Sequence, residues 1–400
     1  MRPKVLLVGG PDIDARLELM HHLKDTFSIS ALGSLPTLHD RFLAEGFVYS
    51  SYRLGRQVNP LLDLWTLAQL VFMLNRLKPQ IVHTFDTKPG VWARLAARLA
   101  GVPVIIGTLP GLGSLYASDN LKTRIVRIVY QRLQSLACRI SDHTIFQNHE
   151  DARQFIAAGI VPEQKATVIL GSGVSTDLYN PAQVSDLKQA KLRAELDIQP
   201  LEIVVTMVSR LIRSKGVLEF MAAAQEVDLR FPDAHFLLIG PEDDDSLDRL
   251  NSSELIQLKR AITCPGPRGD IPAVLAVSDI FVFPSAYREG IPRVLLEAAS
   301  MGLPIVTTDS PGCNEVVEHG VNGYLVPVRD SAALSQAITR LIEHPELRQR
   351  FGRISRQRAV ERFDLSIVAD QISSSYLQLL ARKGLLPDSA SEVQRLASQD

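Results

Sequence analysis

Short apolar runs rich in valine and isoleucine alternate along the chain with longer stretches whose apolar residues recur every three or four positions. The short runs predict buried parallel strands, and the longer stretches, such as 61–79 and 90–103, predict amphipathic helices. The predicted strands are 4–10, 80–85, 103–108, 143–148 and 166–171, then 202–210, 235–240, 280–285, 304–309 and 323–328. This alternation predicts an α/β fold in which helices wrap parallel sheets.

The length of 400 residues predicts two domains, because single cores rarely grow so large. The more polar segment 175–200 separates the two series of strands. We expect Rossmann-like, doubly wound domains at 1–174 and 175–365, facing each other across a cleft. Residues 366–400 would form a C-terminal helix, packing back towards the N-terminal domain, and a polar tail. In such sheets, sites lie at the carboxyl ends of the strands.

The composition, with 46% hydrophobic and 22% charged residues, is that of an ordinary globular protein. No run of about 18 apolar residues is present that would span a membrane. The N-terminal residues 1–10 lack the long apolar core of a signal peptide. Cys138, Cys264 and Cys313 are far apart and follow no ligand spacing, which favours a reducing, cytoplasmic compartment and no structural metal.

The net charge of −1 hides an uneven distribution. Residues 1–175 contain 19 Lys and Arg against 13 Asp and Glu, and the remainder contains 24 against 31. The first half is therefore the better candidate to bind an anionic partner or an anionic surface. Chance unevenness explains so small an excess equally well. Its segment 120–140 has the pattern of a basic amphipathic helix, which fits either an anionic bilayer or an ordinary helix with a basic outer face. We expect no nucleic-acid partner.

The segment 288–304, REGIPRVLLEAASMGLP, predicts a loop and then a helix after the strand at 280–285. Pro292 suits the first helical position, and Gly302 suits the stop. The N–H groups from Gly290 to Leu295 would then form an anion site. Glu289 and Glu297 bracket this helix start. Both could be carboxylates of a binding site. Alternatively, Glu289 is a solvated loop residue and Glu297 forms a surface ion pair with Arg293.

A second basic segment, SRLIRSKG at 209–216, follows the first strand of the second domain. Charge-assisted hydrogen bonds contribute roughly 1.5–3 kcal/mol each, whereas a helix end contributes about 0.3–1 kcal/mol. We therefore expect Arg210 and Lys215 to dominate the affinity for a diphosphate. Glu297 would accept hydrogen bonds from a ribose, and Glu289 would face the group beyond the phosphates.

These motifs resemble those of retaining glycosyltransferase family 4, which has the GT-B fold. Glu289 and Glu297 match its E-x7-E motif, and 209–216 resembles its Gly-Arg-Leu…Lys-Gly stretch, with Ser209 where glycine is usual. The block 283–327 is similar to the branch that builds bacterial capsule, O-antigen and other lipid-linked oligosaccharides. TKPGVWARLAARLAGVP at 87–103 and PGLGSLYASDNLK at 110–122 resemble that branch too.

The resemblance implies transfer of a hexosyl or N-acetylhexosaminyl group from a nucleotide diphosphate sugar, with UDP favoured on family grounds. The acceptor would be a polyprenyl-diphosphate-linked saccharide, and the enzyme would lie peripherally on the inner face of the cell membrane. Neither a metal nor another cofactor is implied. The family's mechanism is front-side attack with retention, in which the leaving diphosphate helps to deprotonate the acceptor.

The resemblance also assigns residues. The catalytic residues would be Arg210, Lys215 and Glu289. The donor-binding residues would be Gly9, Gly10, Arg210, Lys215, Arg268, Glu289, Gly290, Ile291, Pro292, Val294 and Glu297. The acceptor-binding residues would be His83 and Lys88. Simpler alternatives are a tight strand-end turn for the two glycines, a buried strand-end histidine for His83 and a solvated lysine for Lys88.

Two departures from the family pattern keep other functions open. Pro110 stands where many members have a histidine, and Phe85 stands where a second histidine is common. A nucleotide-sugar epimerase, a non-catalytic partner of another transferase and a transferase with a soluble acceptor are the alternatives. The acidic run 241–248 resembles a metal-binding Asp-x-Asp motif, but we interpret it as a solvated loop.

Overall fold

A computed structural model describes residues 2–55, 59–111, 121–244, 246 and 248–386, with the side chains of 121–126 left out. The chain divides into two compact units. The first runs to Ile169 and also includes the segment that begins at Leu365, and the second is Leu170–Asp364. Each unit has its own parallel sheet.

The described residues form strands that are numbered in chain order. They are β1 (Lys4–Val8), β2 (Ser28–Gly33), β3 (Val48–Ser51), β4 (Ile81–Thr84), β5 (Val104–Leu109), β6 (His143–Phe146), β7 (Ala166–Val168), β8 (Ile203–Val208), β9 (Ala234–Ile239), β10 (Thr263–Gly266), β11 (Ile280–Phe283), β12 (Ile305–Thr308) and β13 (Gly323–Val326). Every predicted strand is present, although most end two or three residues earlier than predicted.

The α-helices of the described residues follow the same convention. They are α1 (Leu17–Leu23), α2 (His39–Ala44), α3 (Pro60–Leu77), α4 (Thr87–Leu99), α5 (Leu121–Ile140), α6 (His149–Ala157), α7 (Asp186–Glu195), α8 (Val217–Asp228), α9 (Ser252–Ala261), α10 (Ile271–Ala276), α11 (Arg293–Ser300), α12 (Cys313–Val316), α13 (Ser331–Glu343), α14 (Pro345–Arg358) and α15 (Leu365–Arg382).

The sheet of the first unit, as far as the residues are described, has the order β3-β2-β1-β4-β5-β6-β7, with all pairs parallel. Alternate residues of β1 point to opposite faces. Val5 and Leu7 pack with α1, α2 and α15, whereas Leu6 and Val8 pack with α3 and α4. The predicted α/β fold with helices on both faces is confirmed for this unit. The strands β2 and β3 were not predicted, because serines interrupt their apolar pattern.

The sheet of the second unit has the order β10-β9-β8-β11-β12-β13 among the described residues, again with all pairs parallel. Phe281 and Phe283 belong to the core on one face, and Val282 belongs to the core on the other. The strand β10 was not predicted, since its four residues include a proline and a glycine. In both sheets the order of strands reverses at one point, between β1 and β4 and between β8 and β11.

Candidate active site

The reversal between β8 and β11 places two predicted site segments side by side. Arg210 and Lys215 follow β8, and Glu289 follows β11, the strand paired with β8. Because the carboxyl ends of parallel strands share one edge, these loops meet there. The Lys215 ammonium forms an ion pair with Glu289 Oε1. Their side chains are only 13% and 15% exposed, so this is a largely buried pair.

Aromatic rings and main-chain hydrogen bonds hold this pair in place. The Lys215 nitrogen lies 5.4 Å from the ring centroid of Phe283 and 5.1 Å from that of Tyr287, which gives two cation–π contacts. The N–H of Ala286 donates to the carbonyl of Ser214 at 2.8 Å. The buried Ser285 hydroxyl accepts from the Tyr287 N–H at 3.2 Å. The two loops are therefore bonded to each other beside the Lys215–Glu289 pair.

Gly216 explains why a glycine follows the lysine. Its φ is +80°, and a Cβ atom built there would lie 2.1 Å from the carbonyl oxygen of Pro284. Only glycine allows this loop to lie so close to the end of β11. This close approach brings Lys215 within reach of Glu289.

Arg210 has a different partner. Its Nη1 lies 2.6 Å from Asp243 Oδ2, and its side chain is half exposed. Asp243 belongs to the acidic run that we interpreted as solvated; residues 245 and 247 of that run lie outside the described residues. The interpretation was wrong for Asp243, and the strand order explains why. The run follows β9, which pairs with β8, so the loop after β9 lies beside Arg210.

The helix α11 begins at Arg293, one residue later than predicted. Pro292 has extended backbone (ψ 120°) and caps the helix instead of forming its first turn. The N–H of Leu295 donates to the carbonyl of Pro292 at 3.0 Å, so the prediction that it would bind an anion does not fit. The predicted stop at Gly302 is confirmed, because this residue follows the helix with a φ of +74°.

Glu297 lies on the second turn of α11 and is 7% exposed. Its Oε1 lies 3.1 Å from Arg293 Nε, so the i,i+4 pair is present, but its carboxylate is buried. Ile291 belongs to the core of the unit, and Val294 packs against that core. Gly290 lies against Gly312, where a Cβ atom would be 1.9 Å from the Gly290 carbonyl. This segment is thus fixed by close packing.

Arg268 is hydrogen-bonded to two carboxylates, neither of which is a predicted site residue. It donates to both oxygens of Asp270 at 2.7 and 2.8 Å and to Glu195 Oε1 at 2.7 Å. These bonds, with Asp270 first, raise the pKa of the guanidinium. Arg268 follows β10, an edge strand, whereas Arg210 and Lys215 follow β8. The structure therefore gives Arg268 a structural set of partners, and its donor-binding role stays a prediction.

The glycine pair lies in the first unit, after β1. The N–H of Gly10 donates to Asp86 Oδ2 at 2.8 Å, and the Tyr52 hydroxyl donates to the carbonyl of Gly9 at 2.8 Å. A Cβ atom on Gly9 would lie 2.7 Å from Ile13 Cδ1. Local packing therefore requires glycine at position 9 even without a ligand.

Asp86 was missed by the sequence reasoning. It follows β4, across the strand reversal from Gly10, and its backbone has φ 68° and ψ 168°, a conformation that favours glycine. Such strain costs about 1–3 kcal/mol and concentrates at functional sites. No residue pattern signals a positive φ at an aspartate, but its place after a strand next to the switch point could have been used.

His83 does not fit the acceptor contact that was predicted for it. It is completely buried, and its Nδ1 and Nε2 hydrogen-bond with the hydroxyls of Tyr376 at 2.6 Å and Thr108 at 2.7 Å. Burial, with Arg16, His143 and Arg94 adding to it, lowers the pKa of His83 to about 3. The alternative of a buried strand-end histidine describes this geometry.

Lys88 lies in the first turn of α4 and is not a solvated loop lysine. Its ammonium lies 2.7 Å from Asp63 Oδ1 of α3 and donates to the carbonyl of Gly55 at 2.8 Å. Lys88 therefore ties α4 to α3, and its contact with an acceptor phosphate stays a prediction.

The described part of the chain has neither a cluster of metal ligands nor a membrane-spanning helix. That part contains no group of three or more His, Cys, Asp or Glu residues that could hold a metal ion. It also contains no helix long and apolar enough to cross a membrane. Most of the family-like segment 110–122 lies outside the described residues, which end at 111 and resume at 121.

Comparison with known proteins decides the family. The family described as Glycosyl transferases group 1 matches residues 188–358, and the Glycosyl transferase 4-like domain matches residues 35–170. A UDP-Gal:alpha-D-GlcNAc-diphosphoundecaprenol alpha-1,3-galactosyltransferase of Escherichia coli is 31% identical, over 82% of this chain and 83% of the relative. The chain belongs to glycosyltransferase family 4. The predicted family and the assignment as a glycosyltransferase are thereby confirmed.

A second relative and a solved structure are also similar to this family 4 glycosyltransferase. An N,N'-diacetylbacillosaminyl-diphospho-undecaprenol alpha-1,3-N-acetylgalactosaminyltransferase of Campylobacter jejuni is 31% identical, over 81% of this chain and 83% of the relative. The crystal structure of Anabaena HepE in complex with UDP superimposes with a TM-score of 0.77 at 22% identity, over 93% of this chain and 99% of that one. The likeness to HepE shows the fold, and the predicted GT-B class is confirmed.

We predict that Gly216→Ala destabilises the second unit much more than Gly101→Ala destabilises the first unit. Both glycines have positive φ, +80° and +68°, but nothing lies within 4 Å of a Cβ atom at Gly101. The Gly101 variant should lose about 1–2 kcal/mol through backbone strain alone. The Gly216 variant should lose at least about 3 kcal/mol, since the clash adds overpacking. Urea unfolding measures both, and equal losses would contradict the steric argument.

We predict that His83 makes the protein less stable in acid. The pKa of its buried ring is lowered to about 3, so below about pH 6.5 the unfolded chain binds a proton that the folded chain does not. Its contribution is complete above that pH and falls by about 2 kcal/mol at pH 5. In urea unfolding at pH 7.5 and 5, His83→Gln should reduce the difference by this amount. The exposed His39→Gln is the control, and an unchanged difference in the His83 variant would refute the argument.

Proposed function

We propose that this enzyme transfers a sugar, with retention, from a UDP-sugar to a polyprenyl-diphosphate-linked saccharide, without a metal ion and at the inner face of the cell membrane. The observation that carries the donor half is the Lys215–Glu289 pair at the strand reversal of the second sheet. The acceptor half is supported by the two relatives, whose names specify undecaprenyl-diphosphate-linked substrates. UDP is supported by the name of the first relative, a UDP-Gal-dependent enzyme.

In this proposal the donor diphosphate takes the place of carboxylates. Lys215 is paired with Glu289, and Arg210 is paired with Asp243. A diphosphate beside β8 would accept hydrogen bonds from both cations, each worth roughly 1.5–3 kcal/mol. Because these two cations would neutralise the phosphates, the site requires no divalent ion for that purpose.

The two glutamates would then serve different parts of the donor. Glu289, released from Lys215, would accept hydrogen bonds from the hydroxyls of the sugar. Glu297 is buried on α11 and held by Arg293, which suits a fixed acceptor for a ribose diol. The tightly packed segment 290–292 would position the main chain between them, with Val294 on the first turn of α11. In the first unit, Gly9, Gly10 and Lys88 would contact donor or acceptor.

The chemistry assigned to these residues is retaining transfer by front-side attack. The bond between the anomeric carbon and the diphosphate oxygen breaks, and the acceptor oxygen bonds to the same face of that carbon. The acceptor proton passes to the departing diphosphate. Negative charge therefore grows on the diphosphate in the transition state, where Lys215 and Arg210 would stabilise it.

We predict that nucleotide affinity and transfer can be separated by substitution. Lys215→Ala and Arg210→Ala should weaken UDP binding by about tenfold or more, since each removes a charge-assisted hydrogen bond. Glu289→Gln should bind UDP at least as tightly as the wild type, because it leaves both cations and removes the carboxylate that competes for Lys215, but should lower the transfer rate at least about 100-fold. Calorimetry with UDP, GDP and ADP, each with magnesium and with EDTA, measures the binding, and turnover of a UDP-sugar measures the transfer.

Lys259→Ala is the matched control, because Lys259 also pairs with a carboxylate, Glu242, but at an exposed place. The proposed donor site would be wrong if all three site variants behaved like this control. UDP binding that disappears in EDTA would overturn metal independence. Donor turnover without an acceptor would indicate an epimerase, and binding without any turnover would indicate a non-catalytic partner.

We predict that Asp243→Asn tightens UDP binding. The substitution removes the carboxylate that competes with a diphosphate for Arg210, and it keeps the size of the side chain. The pair is partly exposed, so its removal should strengthen binding by only a few-fold, corresponding to about 1 kcal/mol or less. Glu242→Gln, which breaks the neighbouring pair with Lys259, should leave UDP affinity unchanged. Weaker binding by the Asp243 variant would show that this carboxylate assists the donor site.

A further inference from the structure

The helix α3 of the first unit exposes an apolar stripe. Leu61, Leu64, Trp65 and Phe72 are 82%, 59%, 60% and 67% exposed. At about 100° per residue they fall on one face of the helix, with Ala68 between them. The opposite face of α3 carries Leu70 and Leu74, which are buried against the sheet. The exposed stripe is therefore surplus to the packing of the unit.

The neighbouring helices extend this apolar surface and add positive charge. Both α3 and α5 pack against α4. Leu99 of α4 and Ile128, Val129 and Leu136 of α5 are exposed. The exposed arginines on these three helices are Arg76, Arg98, Arg132 and Arg139. Apolar and basic side chains are thus mixed over one face of the unit, which we call the α3–α5 face.

The sequences of the three helices that form this face contain almost no acidic residues. The sequences of α3, α4 and α5 contain nine lysines and arginines and one acidic residue, Asp63, which is buried and paired with Lys88. The helices α1, α2, α6 and α15 of the same unit each contain at least one acidic residue. The excess of positive charge in the first half of the chain therefore comes from the three helices that also expose these apolar side chains, although Arg94 itself is buried.

We infer that the α3–α5 face docks on an anionic lipid bilayer, with Trp65 and its neighbours on α3 entering the interface. Tryptophan, phenylalanine and leucine suit the boundary between headgroups and acyl chains, and arginines suit anionic headgroups. An apolar helix stripe by itself also fits a groove on a partner protein, and the excess of positive charge on the same three helices is what favours anionic headgroups. The choice of a bilayer rests on the proposed lipid-linked acceptor, whereas the stripe and its charge do not.

The sequence had suggested 120–140, the segment of α5, as the basic amphipathic helix of this kind. The structure instead favours α3 as the helix that enters the bilayer, because its apolar residues are more exposed than those of α5 and include Trp65. In this arrangement α3 inserts and α5 supplies attraction to the headgroups. The side chains of Lys122 and Arg124 lie outside those described, and both residues enter only as charges in the sequence of α5.

The test is flotation of the full-length enzyme with vesicles of phosphatidylcholine containing about one-third phosphatidylglycerol. We expect the wild type to float, and the double variant Trp65→Ser, Phe72→Ser to lose about tenfold or more of its bound fraction. The matched control is Leu201→Ser, Leu229→Ser, which removes two equally exposed leucines of the second unit (92% and 85% exposed) and should float as the wild type does. Vesicles of pure phosphatidylcholine should bind much less.

A fluorescence measurement keeps the inference testable independently of that variant. The chain has two tryptophans, Trp65 and Trp92. In a Trp92→Phe background, the emission of Trp65 should shift to the blue and be quenched by brominated lipids when anionic vesicles are added. Unchanged emission, or flotation of the stripe variant equal to that of the wild type, would overturn the inference. Loss of a dimer by that variant, without vesicle binding by the wild type, would also overturn it by showing that a second copy covers the face.

Transfer assays separate this inference from the proposed function. With an acceptor embedded in anionic vesicles, the stripe variant should transfer sugar much more slowly than the wild type. With a short-chain, water-soluble acceptor the two should be equal. Equal transfer to both acceptors would overturn the docking face and leave the proposed function intact. Vesicle binding without transfer to either acceptor would contradict the proposed function and leave the docking face intact.

Discussion

The reversal of strand order at the centre of each sheet is the constraint on which the site geometry depends. In the second unit the chain continues from β8 towards one edge of the sheet and from β11 towards the other, and the loops that follow these paired strands lie side by side at their carboxyl ends. Lys215 and Glu289 meet at this point. In the first unit the same reversal between β1 and β4 brings Gly10 to Asp86. Each unit has a residue with positive φ at this point, Gly216 in the second and Asp86 in the first.

A largely buried ion pair contributes little to stability by itself, since the cost of removing two charges from water offsets their attraction. The proposed function gives the Lys215–Glu289 pair a different purpose, that of a site for a charged ligand. Without Glu289, the lysine beside Phe283 and Tyr287 would be a poorly solvated cation. Glu289 neutralises the charge of Lys215, and the diphosphate of the proposed donor would replace it as the partner. In the proposed function, the packing that fixes the pair, through Gly216 against Pro284, would therefore serve donor binding.

The sequence predicted the parts of this protein that depend on local pattern. Continuous apolar runs revealed ten strands, whereas β2, β3 and β10 carry serine, proline or glycine where the pattern needs apolar residues. Motif spacing brought Lys215 and Glu289 into one proposed site, and the structure shows them in contact. His83 could not be placed in this way, because its partner Tyr376 lies 293 residues away in the sequence. The Arg210–Asp243 pair could be predicted only from the order of the strands, because that order brings the loop after β9 beside the loop after β8.

The cations of the two units differ in a way that matches the two kinds of anion proposed for them. Lys215 and Arg210 are held by individual carboxylates in fixed geometry, which suits a small ligand that must be oriented for chemistry. The arginines of the α3–α5 face are exposed among apolar side chains, which suits a diffuse layer of charge that needs no orientation. Salt screens exposed charges far more than buried ones. Ionic strength should therefore weaken vesicle binding through that face well before it weakens nucleotide binding at Lys215.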